Sequence, residues 1–228
     1  MPNIIMADQP TSGGILFSDF AQWNLDCDWN DPAVVTVNQY ALYYSKSGIK
    51  NIILPNATTI GTSALSYSEV GPKLFAPQAR LGSNCCYGAK NIETAIVGAI
   101  DVQGGFRRYS TMALKTLDLQ MSSSTTGFGT NCFQGCSNLD TIILRGSTIQ
   151  KMSQLTAFAD TPMASGGTGV TIYIPKSLHD HLGDGTANDY KAATNWSTYD
   201  GYGTITWKKI EGSAYDGYYA DGTSIPSA

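Results

Sequence analysis

The sequence predicts a solenoid between α/β and mainly-β in class, in which short parallel strands stack coil upon coil. Two observations predict it, and a third describes its surface. A motif of the form apolar-Gly-Thr/Ser-Ser/Asn-small-apolar returns along the chain. Short apolar runs of strand length lie between its copies, and they begin 20–25 residues apart. Charged residues are only 14% of the 228, against about 25% in an average soluble protein. A coil of this pattern cannot bury its apolar side alone, and stacking neighbours closes one continuous core.

The motif copies come first. Val37-Asn38-Gln39-Tyr40-Ala41-Leu42 continues to Tyr44-Ser45 and Gly48, and Ile60-Gly61-Thr62-Ser63-Ala64-Leu65 continues to Tyr67-Ser68 and Gly71 at an offset of 23. Leu81-Gly82-Ser83-Asn84-Cys85-Cys86 and Phe128-Gly129-Thr130-Asn131-Cys132-Phe133 repeat the form. Weaker copies end at Gly105-Phe106 and Ala157-Phe158. The intervening runs are Ile49–Leu54, Ile92–Val97, Leu114–Leu119 and Leu139–Leu144, with apolar or small residues at their first, fourth and sixth positions. A degenerate run, Pro72–Ala76, completes the series. Starts at 49, 72, 92, 114 and 139 give steps of 23, 20, 22 and 25, inside the period of about 20–29 residues of a leucine-rich repeat. In that register Cys85, Cys86, Cys132 and Phe133 take inward positions, so the cysteines read as small buried hydrophobes.

Leu54-Pro55-Asn56-Ala57-Thr58-Thr59-Ile60-Gly61-Thr62-Ser63-Ala64-Leu65 resembles the BspA-type leucine-rich repeat, and Cys132-Phe133-Gln134-Gly135-Cys136-Ser137-Asn138-Leu139 resembles its continuation. The resemblance covers about residues 35 to 175 and implies a right-handed leucine-rich repeat solenoid there. The repeat at 92–113 lacks the clear motif. Val170-Thr171-Ile172-Tyr173-Ile174-Pro175, with Lys176-Ser177-Leu178 and Asp189-Tyr190-Lys191-Ala192-Ala193-Thr194-Asn195-Trp196-Ser197-Thr198-Tyr199, resembles the closing module of BspA-like proteins. That module is found in surface proteins of gut bacteria and in proteins of their phages and prophages. This chain departs from it by the insert His181–Asn188.

Four regions follow. Residues 35–175 form the solenoid and 176–212 a C-terminal capping module, because a terminal coil without a cap exposes its core. There Asp189 is expected to cap a short helix, Tyr190 and Trp196 to cover the open end, and Thr204–Ile210 to alternate as a strand. Residues 1–34 hold Phe17, Phe20, Trp23, Leu25 and Trp29, too apolar for a free tail. They read as an N-terminal cap, or as a segment that attaches to a partner through Phe17, Phe20, Trp23 and Trp29. Residues 213–228, rich in Gly, Ser, Tyr and Asp, read as an extended tail.

The chemistry-bearing residues are sparse. Five cysteines without a signal peptide do not make a disulfide framework. Cys132 and Cys136, spaced C-x3-C, lack the further ligands that zinc takes. Asp26, Asp28 and Asp31 lack the later Gly and bidentate Glu of a calcium loop. His179 and His181 point apart if helical. Arg107 and Arg108 beside Tyr109 are too few for an anion patch. No nucleophile elbow, phosphate loop, metalloprotease or dinucleotide motif is present. The expectation is a chain that is not an enzyme, with no catalytic residues, no metal and no cofactor.

A net charge of -4 and a pI near 5.0 exclude the basic footprint of nucleic-acid binding. No run of 18 apolar residues occurs, so no membrane insertion is expected. The 13 tyrosines are the residues suited to binding, since Tyr offers a rigid amphipathic face at low entropic cost. Tyr202, Tyr215, Tyr218 and Tyr219 are the candidates. With the resemblance, these features lead to the expectation of a bacteriophage virion structural protein on a tail fibre, tail tip or capsid surface. Its partners would be other virion structural proteins and a host cell-surface glycan or protein, and it would be a homo-oligomer or a multicopy array. The alternative is a BspA-like adhesin of the bacterial cell surface, which should carry a signal peptide and an anchor. A polysaccharide-degrading enzyme ranks third, for want of a motif.

Overall fold

The computed structural model describes residues 27–46, 48–100, 105–106, 113–121 and 127–226. Its strands are β1 (Cys27–Asn30), β2 (Thr36–Val37), β3 (Ile49–Ile53), β4 (Thr59–Ile60), β5 (Lys73–Leu81), β6 (Thr94–Ile100), β7 (Thr116–Leu119), β8 (Thr141–Leu144), β9 (Val170–Ile174) and β10 (Ile205–Lys209). Two short helices, α1 (Lys176–His179) and α2 (Trp196–Gly201), lie between the last two strands. The main ladder runs β1-β3-β5-β6-β7-β8-β9-β10, and every pairing in it is parallel. A second, shorter ladder joins β2, β4, the far end of β5 and the far end of β6. Successive parallel neighbours require the chain to return to the same side on every coil, so the molecule is a parallel β-solenoid.

Register explains why the apolar runs form these strands. Ile52, Leu74, Ala95, Leu117, Ile142 and Ile172 lie opposite one another from coil to coil, and all are buried. Alternation along a strand sends the next residue to the other face. That outer row is Ile53, Phe75, Ile96, Asp118, Ile143 and Tyr173. The run that looked degenerate in sequence belongs to β5, at nine residues the longest described strand. Pro77 lies where the register with β6 shifts, between Ala76 and Arg80. A residue without an N–H fits a break in the ladder, and there β5 passes from the main ladder to the second one.

The third side of the coil is a column of turns, also tied backbone to backbone. Leu42 N–H donates to the Ala64 carbonyl, Leu65 to Cys85, Cys86 to Gly105, Phe106 to Cys132 and Phe133 to Ala157. The repeated motif is the local code for this turn. Its fourth residue is left-handed in every good copy: Tyr40, Ser63, Asn84 and Asn131 have φ of 53–60°. Asn is among the residues most enriched in that conformation. Its glycine meets a different need. A Cβ on Gly61 would lie 2.6 Å from the Gln39 nitrogen, and one on Gly82 would lie 2.5 Å from the Thr62 nitrogen. The coils approach so closely there that only hydrogen fits.

Inside, Phe106 stacks on Phe133 at 5.9 Å and Phe133 on Phe158 at 4.7 Å. Phe128 meets Phe133 and Phe158 edge-on. The aromatic series continues into Trp196, which meets Tyr190 at 5.3 Å and Trp207 at 5.9 Å. Trp207 Nε1 donates to Asp200 Oδ1 at 2.7 Å, and the polar atoms of Tyr190, Trp196 and Tyr199 find partners on the preceding coil. Tyr190 Oη accepts from the Gln150 N–H (2.8 Å), and Trp196 Nε1 donates to the Gln150 carbonyl (2.7 Å). Tyr199 Oη accepts from the Phe158 N–H and donates to the Leu155 carbonyl. The expected strand is β10, parallel to β9. Asp189 does not cap a helix. Its carboxylate accepts hydrogen bonds from the N–H groups of Gly185 (3.0 Å) and Lys191 (2.8 Å), and α2 begins only at Trp196.

The C-terminal segment lies across the outer row of the sheet. Arg145 is bidentate to Asp118 (Nε–Oδ1 2.7 Å, Nη2–Oδ2 2.9 Å) and also donates to the carbonyls of Tyr215 (3.0 Å) and Tyr218 (2.6 Å). The Ala220 N–H donates to Asp118 Oδ2 at 2.9 Å. Lys73 pairs with Asp221 at 3.0 Å. Tyr219 is buried with Phe75 and Ile96, so this segment dries the apolar part of the outer face.

Candidate functional site

Two stacked copies of the motif place tyrosine at the same point of the turn. Tyr44 and Tyr67 both take left-handed backbone, with φ of 55° and 56°. Their rings therefore leave successive coils in the same direction. They stack at 4.6 Å with an interplanar angle of 10°. On the third coil the equivalent residue is Gly88, at φ 70°. The Tyr67 ring lies over it, so closely that a Cβ there would sit 2.8 Å from Cδ1. Tyr67 then meets Tyr87 at 5.0 Å. Tyr43 contacts Tyr44 at 4.7 Å and Tyr40 at 5.5 Å, both edge-on. Five rings thus brace one another along one side of the first three coils.

These rings stay open to solvent. Relative exposure is 46% for Tyr40, 43% for Tyr43, 56% for Tyr44 and 39% for Tyr67. A hydrogen bond with Tyr87, followed by burial, pushes the Tyr67 phenol up to about 12. Burial and the neighbouring Tyr44 raise Tyr43 as well. Both hydroxyls therefore remain neutral hydrogen-bonding groups at ordinary pH. No Asp, Glu, Lys, Arg or His occurs in 38–45, 61–68 or 82–88. The other exposed side chains of these turns are Asn38, Gln39, Thr62 and Asn84. The apolar members, Leu42, Ala64, Leu65, Cys85 and Cys86, point inward and are buried.

The tyrosines that composition singled out are not gathered into one place. Tyr202 is exposed and packs on Tyr199 at 5.6 Å. Tyr215 is half-buried, edge-on to Tyr173 at 4.8 Å. Tyr218 is exposed, while Tyr219 is turned into the sheet against Phe75 at 5.3 Å. The Tyr44–Tyr67 pair carried a readable signal in its 23-residue offset within the repeat. Of the attachment candidates, Trp29 lies in β1, half-buried against the core. Phe17, Phe20 and Trp23 lie outside the described residues, as do Asp26, Arg107, Arg108 and Tyr109.

The remaining chemistry-bearing residues are scattered. Asp28 accepts from Asn51 of the next coil (3.0 Å), and Asp31 accepts from the Ala33 N–H (2.9 Å). His181 faces Asp184 at 2.7 Å, whereas His179 lies 3.8 Å from Asp180. Cys85, Cys86, Cys132 and Cys136 are unbridged and buried. Burial raises the Cys86 and Cys136 thiols well above the usual range and pushes Cys132 up to about 12, away from the thiolate that reactivity requires. Among the described residues no three His, Cys, Asp or Glu side chains are grouped to hold a metal ion. No described helix is long and apolar enough to cross a membrane. No protein-family model matches the chain, and no curated protein sequence matches it.

Proposed function

We propose that this chain is a non-enzymatic structural protein of a bacteriophage virion surface, where it presents a rigid coil for adhesion to a host cell-surface glycan or protein. The coil is a BspA-type leucine-rich repeat. Residues 176–212 cap its C-terminal end, with Tyr190 and Trp196 as the covering side chains. Residues 1–34 join it to the other virion structural proteins. The observation that carries this reading is the uncharged aromatic side of the solenoid. Braced tyrosines on hydrogen-bonded coils bind without the ordering cost of a flexible loop. Single contacts of this kind are weak, so many copies held in an array supply the strength through avidity.

The test is mass spectrometry of purified virions against host envelope fractions. The expected result is the chain in the particle, at many copies. Recovery only from the envelope overturns the virion assignment in favour of a bacterial surface adhesin. In a second arm residues 1–26 are deleted, which leaves β1 and Trp29 in the sheet. Particles should then lack a protein that is still folded when expressed alone. Unfolding of the truncated chain would instead make that segment a cap.

A further inference from the structure

We infer that the tyrosine-lined turns of the first three coils, around Tyr40, Tyr44 and Tyr67, form a binding site for an uncharged polysaccharide. This rests on the reading of the chain as an adhesion module and names its ligand class and its site. Three features of the turns point to that class. The first is the chemistry of what is exposed. Phenol rings stand beside amide and hydroxyl side chains, Asn38, Gln39, Thr62 and Asn84, while every larger aliphatic side chain of the turns is buried. The exposed centre of the turns is polar at every position, and the flanking ions Glu69 and Lys90 already pair with each other at 3.1 Å. A sugar presents hydroxyls that both donate and accept. Phenols, amides and hydroxyls do the same.

The second feature is charge. The three turns hold no ionisable acid or base other than the tyrosines and the buried thiols Cys85 and Cys86. An acidic glycan or a charged peptide would therefore find no counter-charge within the turns, beside which Glu69 and Lys90 pair with each other, and this counts against binding. The third is repetition. Tyr44 and Tyr67 repeat at 4.6 Å up the stack, the rise of one coil of about 4.8 Å. A ligand that is itself a chain of like units meets like groups as it runs along the coils.

The test uses the full chain displayed at many copies on beads, challenged with purified glucans, mannans and galactans and with uronic-acid polysaccharides. Retention of at least one neutral polysaccharide is expected. Y44S and Y67S should lower it tenfold or more, and L155S, at an exposed side chain of a later coil, should leave it unchanged. T62R keeps every ring and sets an exposed charge among them. It should lower retention as well, and it serves where loss of a ring disturbs the fold, with circular dichroism as the check. Retention only on the acidic polymers overturns the inference. So does neutral-glycan binding that Y44S, Y67S and T62R leave intact, or host-envelope binding that protease destroys and periodate spares. Those results leave the adhesion reading standing. Failure to bind any glycan or the host envelope overturns both. Loss of self-association in Y44S, without glycan binding by the parent, makes the surface a contact between copies and overturns the inference.

Discussion

At Gly61 and Gly82 a hydrogen atom is all that the neighbouring coil admits. An alanine methyl at either would press on backbone, at 2.6 Å and 2.5 Å, and backbone cannot rotate aside as a side chain can. Overpacking of this kind costs about 1–3 kcal/mol. G61A and G82A should lower the denaturant midpoint accordingly with an unchanged slope, whereas G201A, at a glycine with open space around it, should not. The buried thiols give a second prediction, in pH. Cys132 titrates near 9 when unfolded and near 12 when folded, so the native state holds its proton more tightly. Stability is then fully present below pH 9 and falls as pH rises towards 12, since the unfolded state there binds fewer protons. Tyr199, raised by burial from 10 to about 12, acts in the same direction. A chemical-denaturation series from pH 7 to 11 should be flat at first and decline above about pH 9. A C132A variant, whose side chain cannot titrate, should decline less.

The elements were legible in sequence to different degrees. The strands β3, β6, β7 and β8 announce themselves, because an inward residue must be apolar on every coil and the period repeats that demand. The strand at 73 was harder to read. Pro77 interrupts its ladder, and its pattern serves two ladders at once. The turn column was readable through its glycines and its Ser or Asn at the left-handed position, and so was the offset that stacks Tyr44 on Tyr67. What escaped was the docking of the C-terminal segment. Its anchors, Lys73 with Asp221 and Asp118 with Ala220, are 148 and 102 residues apart in sequence, and no local pattern encodes such a pairing. It rests on a carboxylate that is fully buried and a guanidinium nearly so. Removing one partner of a buried pair strands the other, at about 3–5 kcal/mol. D118A should therefore cost that much and release the segment. Chymotrypsin should then cut at Tyr215 and Tyr218 at enzyme levels that leave the parent intact. Equal resistance in D118A would mean that packing of Tyr219 on Phe75 suffices to hold the segment.

For the whole molecule, the scarcity of charge governs how it meets other surfaces. Several of its ions are already matched between coils, Glu69 with Lys90 at 3.1 Å and Glu93 with Lys115 at 2.8 Å. Asp118 and Arg145 neutralise each other beneath the C-terminal segment. With a net charge of -4 spread over 228 residues, the field beyond the surface is weak and little remains to steer a charged partner. Within the tyrosine turns 38–45, 61–68 and 82–88 there is no acid or base besides the phenols and the buried thiols, and Glu69 and Lys90 at their edge are matched to each other. Attachment through these turns is therefore governed by short-range contact of rings, amides and hydroxyls, which salt does not screen. The Debye length falls from about 30 Å at 0.01 M to about 3 Å at 1 M, so ion-pair binding weakens steeply across that range and contact binding does not. Retention of multivalent chain on host cells should change less than about twofold between those limits. Y44S should lower retention by the same factor at both ends. A fall of tenfold or more with salt, or an effect of Y44S confined to low salt, would place the contact on the charged faces of the coil and away from the tyrosines.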